Sequence, residues 1–445
     1  MRLKTFPQGG IHPDDNKISA HKPIEKLPVP KTISIPISQH IGAPAKPVVQ
    51  INDQVKTGQL IAKSGGFISA NIHSSVSGTI KKLDKVMDVS GYKRDCIVIE
   101  VEGDEWNEDI DLSPEIKQDC TLSCDEIKKK IMDAGIVGMG GATFPSHVKL
   151  TIPDGKKAEY LLVNGAECEP YLTSDHRLML EKPEEIIVGI KILMKALNVE
   201  KAIVGIESNK MDAIQLLSEK AQEEKAITIQ ALKLQYPQGG EKQLIKALVN
   251  REAPPPPGLP IDVGCVVFNV GTVFAVYEAV QKNKPLVERI VAITGKTLMN
   301  PSNFLVRLGT PISTLIEKAG GMPQDRGKII SGGPLMGKAI ADTSIPVTKG
   351  TSGIVLMPDN ESLRKECLTC IRCAKCVSVC PQGLEPYLLM LLGQKQLFSK
   401  AEEENVLNCI ECGCCSFACP SNRPLLDHIR YAKTTVMNLI RTRKR

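Results

Sequence analysis

CIRCAKCVSVCP (Cys370–Pro381) and CIECGCCSFACP (Cys409–Pro420) decide how this chain is read. Both carry the spacing Cys-x2-Cys-x2-Cys-x3-Cys-Pro: Cys370, Cys373, Cys376 and Cys380 in one, Cys409, Cys412, Cys415 and Cys419 in the other. Spacings this short let one loop wrap a corner of an iron–sulfur cubane while its backbone N–H groups bond the sulfides. The proline after the last cysteine turns the chain away and removes one donor. Zinc is the competing ligand for such thiolates, but zinc sites rarely carry the x3-Cys-Pro tail. Two nearby cysteines do not fit. Using Cys367 in the first triplet would detach the tail from the third ligand, and Cys414 is an extra thiol beside Cys415.

The paired runs resemble those of bacterial two-cluster ferredoxins, in which the cysteine before the proline ligates the other cluster. The resemblance implies two [4Fe–4S] clusters with crossed ligands. Cluster one takes Cys370, Cys373, Cys376 and Cys419; cluster two takes Cys409, Cys412, Cys415 and Cys380.

Composition bounds the remainder. The 445 residues suffice for about three domains on length alone. Ten of the fifteen cysteines fall between 367 and 419 at metal spacings. With no apolar signal core at the N-terminus, a reducing cytoplasm is expected rather than a disulfide framework. No stretch approaches the roughly 18 apolar residues of a membrane span. The apolar run Ile186–Leu197 is interrupted by Lys191 and Lys195. A net charge of +6 is small for this length and gives no reason to expect nucleic acid. The basic end, 440–445, reads as a solvated tail.

Residues 1–115 read as β, with strands expected at Thr32–Ile37, Val48–Ile51, Leu60–Ala62, Phe67–Ile72, Val76–Ile80 and Cys96–Val101. The stretch Val48–Ala62 resembles the barrel-sandwich domain of biotinyl and lipoyl carriers. The hairpin tip at Gly65, Gly66 and Phe67 has no lysine to modify, so the resemblance implies the fold without the swinging arm. Residues 116–287 alternate helix and strand patterns. Ser123 is expected to cap a helix through Asp133, with Glu126 completing a capping box. A glycine-rich loop follows at 135–149. It fails as a dinucleotide fingerprint because Thr143 stands at the third glycine position. The buried-type strand Tyr160–Asn164 ends in an acidic turn, and strand ends in open α/β sheets are where ligands bind.

These stretches resemble the NADH-oxidising flavoprotein subunit of respiratory complex I. Gly138, Gly140, Gly141, Ala142, Phe144, Pro145 and Lys149 match its glycine loop. Asn164, Glu167, Glu169 and Pro170 match its strand end. Gly240 and Glu241 match a third motif, and Asn269 with Thr272 a fourth. The resemblance implies bound FMN, with glycine backbone around the phosphate, Lys149 near the phosphate or reduced flavin, and Asn164 and Asn269 on the ring or ribityl chain. NADH would stack near Phe144, with Glu169 towards its ribose. Three departures stand out: Thr143 for a glycine, Ala166 for an aspartate and Lys242 for a glutamate. The run Ala253–Gly258 reads as a stiff polyproline loop over the site.

Residues 288–345 resemble the soluble-ligand-binding β-grasp module, expected here as a spacer. Residues 346–445 hold the clusters, with an apolar helix at Pro386–Leu397 and a last amphipathic helix at Pro424–Ile440. The expected fold is therefore multidomain α/β plus β: a barrel-sandwich hybrid, a Rossmann-like α/β flavin domain, a β-grasp module and a two-cluster ferredoxin-like α domain. That order, with FPQGGIHP (Phe6–Pro13) and Pro36–Pro44, is similar to the C-subunit family of Rnf electron transport complexes. The resemblance implies a peripheral subunit on the cytoplasmic face of the membrane. It would exchange hydride between NAD(H) and FMN and pass single electrons through two clusters to membrane-embedded and ferredoxin-like partner subunits. A cobalamin reductase shares these parts with the barrel in another position, and a flavin-less electron-relay adaptor is the non-enzymatic alternative.

Overall fold

The computed structural model describes residues 2–443. Its centre is a four-stranded parallel sheet in the order Ile227–Leu232, Ala202–Glu207, Tyr160–Asn164, Cys265–Asn269. Such strands are buried on both faces and read as continuous apolar runs. Leu161 and Val163 point into one core, with helices Pro183–Leu197 and Val270–Gln281, while Leu162 points into the other, with helix Glu241–Val249. Helix Pro183–Leu197 opens on Pro183, Glu184 and Glu185 and stops at Asn198, which is left-handed. Its Gly189 lets the helix Val270–Gln281 approach so closely that a Cβ would lie 2.4 Å from the Val273 carbonyl oxygen. The expected helix Cys124–Asp133 is present, with Ser123 and Glu126 forming the capping box.

The N-terminal barrel packs a four-stranded sheet (Thr32–Pro36, Lys93–Val101, Gly78–Met87, Gln54–Val55) on a three-stranded one (Lys46–Pro47, Leu60–Lys63, Ile72–His73). Two expected strands are mostly loop. Val48, Ile51, Phe67 and Ile68 are exposed, so their apolar character does not report the core. The hairpin Gly78–Met87/Lys93–Val101 instead runs past the barrel core through the mostly charged Lys81–Lys85, and its Met87 packs on the core of the following sheet. The tip around Phe67 rests on the α/β unit: His147 Nε2 lies 3.1 Å from the Phe67 carbonyl, and the Ile41 N–H donates to the Thr143 carbonyl at 3.3 Å.

The following sheet has six strands, in the order Ile24–Lys26, Ser302–Arg307, Glu288–Thr294, Gly353–Met357, Lys328–Ser331, Lys338–Ile340. It recruits a strand from the N-terminal segment and another from beyond residue 345. The C-terminal part is helical. Helix Leu425–Arg443 buries Leu425, Ile429, Ala432 and Val436 against helix Pro386–Gln394. The expected helix to Leu397 stops at Lys395, and Gln396 is left-handed. Of the basic tail, Lys444 and Arg445 lie outside the described residues. Among the described residues no helix is long and apolar enough to cross a membrane.

Candidate flavin and iron–sulfur sites

Asn164 and Asn269 end adjacent parallel strands and stand opposite each other in register. Asn269 caps the next helix, its Oδ1 accepting from Gly271 N at 2.9 Å, while its Nδ2 donates to Asp175 Oδ2 at 2.7 Å. Burial, reinforced by the neighbouring Glu167, pushes the Asp175 carboxyl up to about 7. Asn164 Nδ2 donates to the Gly239 carbonyl at 2.8 Å, which brings the turn before Gly240 and helix Glu241–Val249 to the same strand ends. The glycine loop closes on itself through Gly138 N–H to Phe144 O at 2.8 Å. The carbonyl of Met139 accepts from Arg289 Nη2 at 3.2 Å. Gly140 faces Asn269, whose Cβ would be 3.4 Å from an added one. Gly141 is left-handed (φ +103°), and a Cβ there would meet nothing within 4 Å. Thr143 adopts φ +51°, the conformation a glycine would take without strain, and its methyl is accommodated by Gly350. Lys149 Nζ reaches Glu241 Oε1 at 3.2 Å and the Val267 carbonyl at 3.0 Å. Four motifs far apart in sequence therefore converge on one rim of the sheet. The open glycine backbone beside two asparagine side chains is a cradle that suits a phosphorylated flavin.

Besides Asn164 and Asn269, whose amides are bonded within the protein, three more residues expected to touch the cofactor have their polar groups engaged there. The buried Thr272 uses its hydroxyl to accept from Met139 N at 2.8 Å, so it holds the glycine loop. The Glu167 carboxylate accepts from the N–H groups of Asp175 (2.8 Å) and His176 (3.1 Å), capping helix Ser174–Glu181 from outside. Glu169 does not point to open space. Its oxygens accept from Leu335 N (3.0 Å) and Met336 N (2.7 Å) of the β-grasp module, and burial pushes its carboxyl up to about 7. Lys242, in place of a glutamate, donates to the Pro254 carbonyl at 3.0 Å and ties the polyproline loop to the third motif. Sequence reading missed Lys17, which donates to the carbonyls of Glu167, Glu169 and Leu172 at 2.8, 2.9 and 2.6 Å. It also missed Asp175 and Arg289. No local pattern marks any of them, because their partners lie in other segments.

Cys380, Cys409, Cys412 and Cys415, the expected ligands of cluster two, line one cavity with Leu384, Leu389, Leu426 and Ile429. Backbone N–H groups already point at the sulfurs, Leu384 N to Cys380 Sγ and Glu411 N to Cys409 Sγ, both at 3.4 Å. Among the described residues no three Cys, His, Asp or Glu side chains gather around a single metal ion. Four thiols bordering one cavity, with backbone N–H groups directed at two of them, are the kind of donor set a cubane takes. The two runs share their backbone. Arg372 and Ala374 in the first, and Glu411 and Gly413 in the second, are left-handed, and each run continues into a short helix. The two expected ligand sets differ in burial: Cys370 and Cys373 are exposed with Cys376 and Cys419 half-buried, whereas Cys380, Cys412 and Cys415 are buried with Cys409 half-buried. Cys414 is buried and lines the same cavity as the second set, whereas Cys367 is exposed.

Known families match the chain in order: the RnfC barrel sandwich hybrid domain at residues 4–104, the Nuo51 FMN-binding domain at 131–278, the SLBB domain at 290–339 and a 4Fe-4S dicluster domain at 362–420. The C subunit of a proton-translocating ferredoxin:NAD(+) oxidoreductase complex of Clostridium ljungdahlii is 50% identical over 97% of this chain and 94% of its own length. The C subunit of the Na(+)-translocating ferredoxin:NAD(+) oxidoreductase complex of Acetobacterium woodii is 42% identical over 97% of each. The C subunit of an ion-translocating oxidoreductase complex of Rhodobacter capsulatus is 40% identical over 97% of this chain and 83% of that one. A solved NAD+-reducing [NiFe]-hydrogenase chain shares the fold at 19% identity and a TM-score of 0.50, over 71% of this chain and 63% of that one.

Proposed function

Because the chain belongs to the C-subunit family of ion-translocating ferredoxin:NAD(+) oxidoreductase complexes, we propose that it exchanges hydride between NAD(H) and FMN and relays single electrons through two [4Fe–4S] clusters to or from partner subunits. The convergence of the four motifs at the Asn164–Asn269 strand ends supports this most directly. FMN, when bound, supplies the switch between two-electron and one-electron chemistry. Gly138, Gly140 and Gly141 give the backbone cradle. Asn164 and Asn269 anchor the Gly239 turn and the helix Val270–Gln281 at the strand ends, and Phe144, Lys149, Gly240 and Glu241 complete the rim. Thr272 and Arg289 hold the loop through Met139. No general base is required, and the protein contributes position, burial and hydrogen bonding.

Cys412 and Cys414 pack with Tyr236 and Cys168 of the α/β domain, whereas Cys370 and Cys373 are exposed. Cluster two is therefore assigned to the flavin side and cluster one to the partner side. Ion transport is assigned to membrane-embedded partner subunits, and this chain to the cytoplasmic face as a peripheral subunit. Anaerobically purified protein should contain close to eight iron and eight sulfide per chain, as two cubanes require. Addition of NADH should bleach bound flavin first and then the cluster absorbance. Zinc in place of iron and sulfide would refute the cluster assignment, and flavin unbleached by NADH would refute the hydride step.

A further inference from the structure

The segment Phe6–Pro13 touches no part of the flavin cradle, yet it runs between the α/β domain and the cysteine-rich domain. Ile11 and Tyr236 exchange both backbone hydrogen bonds, at 2.8 and 2.9 Å, which fastens the strap to the α/β domain. One residue earlier, Gly10 N–H donates to the Val379 carbonyl at 2.9 Å, beside the ligand Cys380. Gln235 Nε2 donates to the Gly9 carbonyl at 2.8 Å. Gly9 is left-handed (φ +71°), and a Cβ there would lie 2.6 Å from the carbonyl carbon and oxygen of Cys380 and 2.7 Å from Pro381 N. No side chain fits that gap, and the atoms it would strike are backbone. Gly10 is also left-handed (φ +87°), with the Tyr236 carbonyl oxygen 2.9 Å from its would-be Cβ.

Tyr236 grips the other cysteine run. Its ring is buried, and its hydroxyl donates to the Cys412 carbonyl at 2.8 Å. The turn after Tyr236 ends in Gly239, whose carbonyl receives Asn164 Nδ2 and whose N–H donates to Cys168 Sγ at 3.3 Å. One short stretch thus touches the rim of the flavin cradle at one end and a cluster-two ligand at the other.

We propose that the strap Phe6–Pro13 and Tyr236 together form a clamp that fixes cluster two against the flavin cradle, Gly9 and Gly10 bracing the Cys380 run and the Tyr236 hydroxyl bracing the Cys412 run. The inference rests on the assignment of Cys380, Cys409, Cys412 and Cys415 to one cluster. Electron transfer from reduced flavin to an oxidised cluster falls steeply with their separation. A hydrogen bond at a ligand's own carbonyl also contributes to the cluster's potential. Tyr236 is therefore a positioning residue, and the absent Cβ of Gly9 is a spacing requirement.

The test uses the full chain loaded with iron, sulfide and FMN. Gly9→Ala is compared with Gly91→Ala, a left-handed glycine (φ +80°) in the barrel hairpin whose Cβ would meet nothing within 4 Å. In Gly9→Ala the NADH-driven bleaching of flavin should keep its wild-type rate, the following reduction of clusters should slow, and one of the two cluster midpoint potentials in an EPR redox titration should move. Gly91→Ala should leave all three readings unchanged. Tyr236→Phe removes one oxygen without disturbing the ring. It should move the same midpoint by at most the equivalent of a roughly tenfold change in that cluster's reduction equilibrium, the full worth of one neutral hydrogen bond being the ceiling on its difference between oxidation states. Should Gly9→Ala not fold, Tyr236→Phe alone decides. Wild-type midpoints and cluster-reduction rates in the folded variants, with iron complete, would overturn the clamp. Iron far below eight per chain in the unmutated protein would instead overturn the cluster assignment beneath it.

Discussion

Replacing Thr272 with valine isolates one hydrogen bond that the flavin cradle depends on. The two side chains are nearly the same shape, and residue 272 is fully buried at the start of helix Val270–Gln281, so packing is conserved. The change removes the acceptor of the Met139 N–H at 2.8 Å, in the middle of the glycine loop. Met139 is itself buried, and a buried donor left without a partner costs about 1–3 kcal/mol. Without flavin, the loop can shift and hydrate that N–H. With flavin bound it has to stay in place, so most of the cost falls on the bound state. Flavin affinity should therefore weaken by between about fivefold and a hundredfold, while thermal stability of the flavin-free protein changes little. Fluorescence of released FMN, titrated at equilibrium, measures the first quantity, and a melting curve of the apoprotein measures the second. Unchanged affinity in Thr272→Val would refute the idea that this loop must be held to receive the cofactor. A large loss of apoprotein stability with unchanged affinity would show that the bond serves the fold alone.

Cys414→Ser and Cys367→Ser should keep both clusters by iron assay and EPR, whereas Cys380→Ser should damage the cluster of the second run. Loss of a cluster in Cys414→Ser with Cys415→Ser silent would exchange their roles. Lys349 is fully buried, its Nζ donating to the carbonyls of Asn71 and Gly135 at 2.7 Å each, and burial lowers its pKa to about 7. Because the unfolded lysine holds its proton to higher pH, this group destabilises the fold below about pH 10 and progressively less as pH rises from 7. Lys349→Met should flatten the stability gain between pH 7 and 9 by about 2–3 kcal/mol in urea titrations, and an unaltered slope would contradict the assignment. Glu169 has the opposite sign. Its folded pKa of about 7 lies above the usual carboxyl value, so stability falls as pH rises from about 4.5 to 7. Glu169→Gln should remove about 2–3 kcal/mol of that fall, and an unchanged slope would place the carboxylate in water.

The glycine loop, the strand Tyr160–Asn164 and the cysteine runs were legible because each is local. A left-handed turn, a doubly buried strand and a cubane loop leave their demands within about a dozen consecutive residues. The capping box at Ser123 and Glu126 belongs to the same class. Roles that depend on distant partners were not legible. Glu169 meets Leu335 across 166 positions, and Tyr236 meets Cys412 across 176. Neither residue carries a periodicity that reports this. The barrel misled in a different way. Val48 and Phe67 are apolar and flank turn residues, which is the signature of a strand, yet they stand exposed. Apolar alternation reports a half-buried strand only where a core lies beneath it. The hairpin 78–101 shows the converse, since its cross-strand pairing continues through Lys81–Lys85, where charged residues dominate and no strand was expected.

The two cysteine runs offer the same ligands in the same backbone, so any functional difference between their clusters has to come from what surrounds them. Left-handed residues recur at matching places, Arg372 with Glu411 and Ala374 with Gly413, and each run leads into a four-residue helix. Around the second run, Tyr236, Ile11, Leu335 and Cys168 exclude water and place hydrogen-bond donors and dipoles at fixed positions. Around the first, Leu363, Leu368 and Ile371 lie exposed beside Cys367, Cys370 and Cys373. Solvent exposure and hydrogen bonding to sulfur are the levers that set cluster potentials when ligand and charge are equal. A cluster wrapped by the flavin domain is suited to exchange electrons inside the chain. A cluster behind an exposed, partly apolar loop is suited to exchange them with another protein. The two sets of thiols thus differ in their surroundings, the Tyr236 hydroxyl and the close approach of Gly9 at the second set and solvent around Cys370 and Cys373.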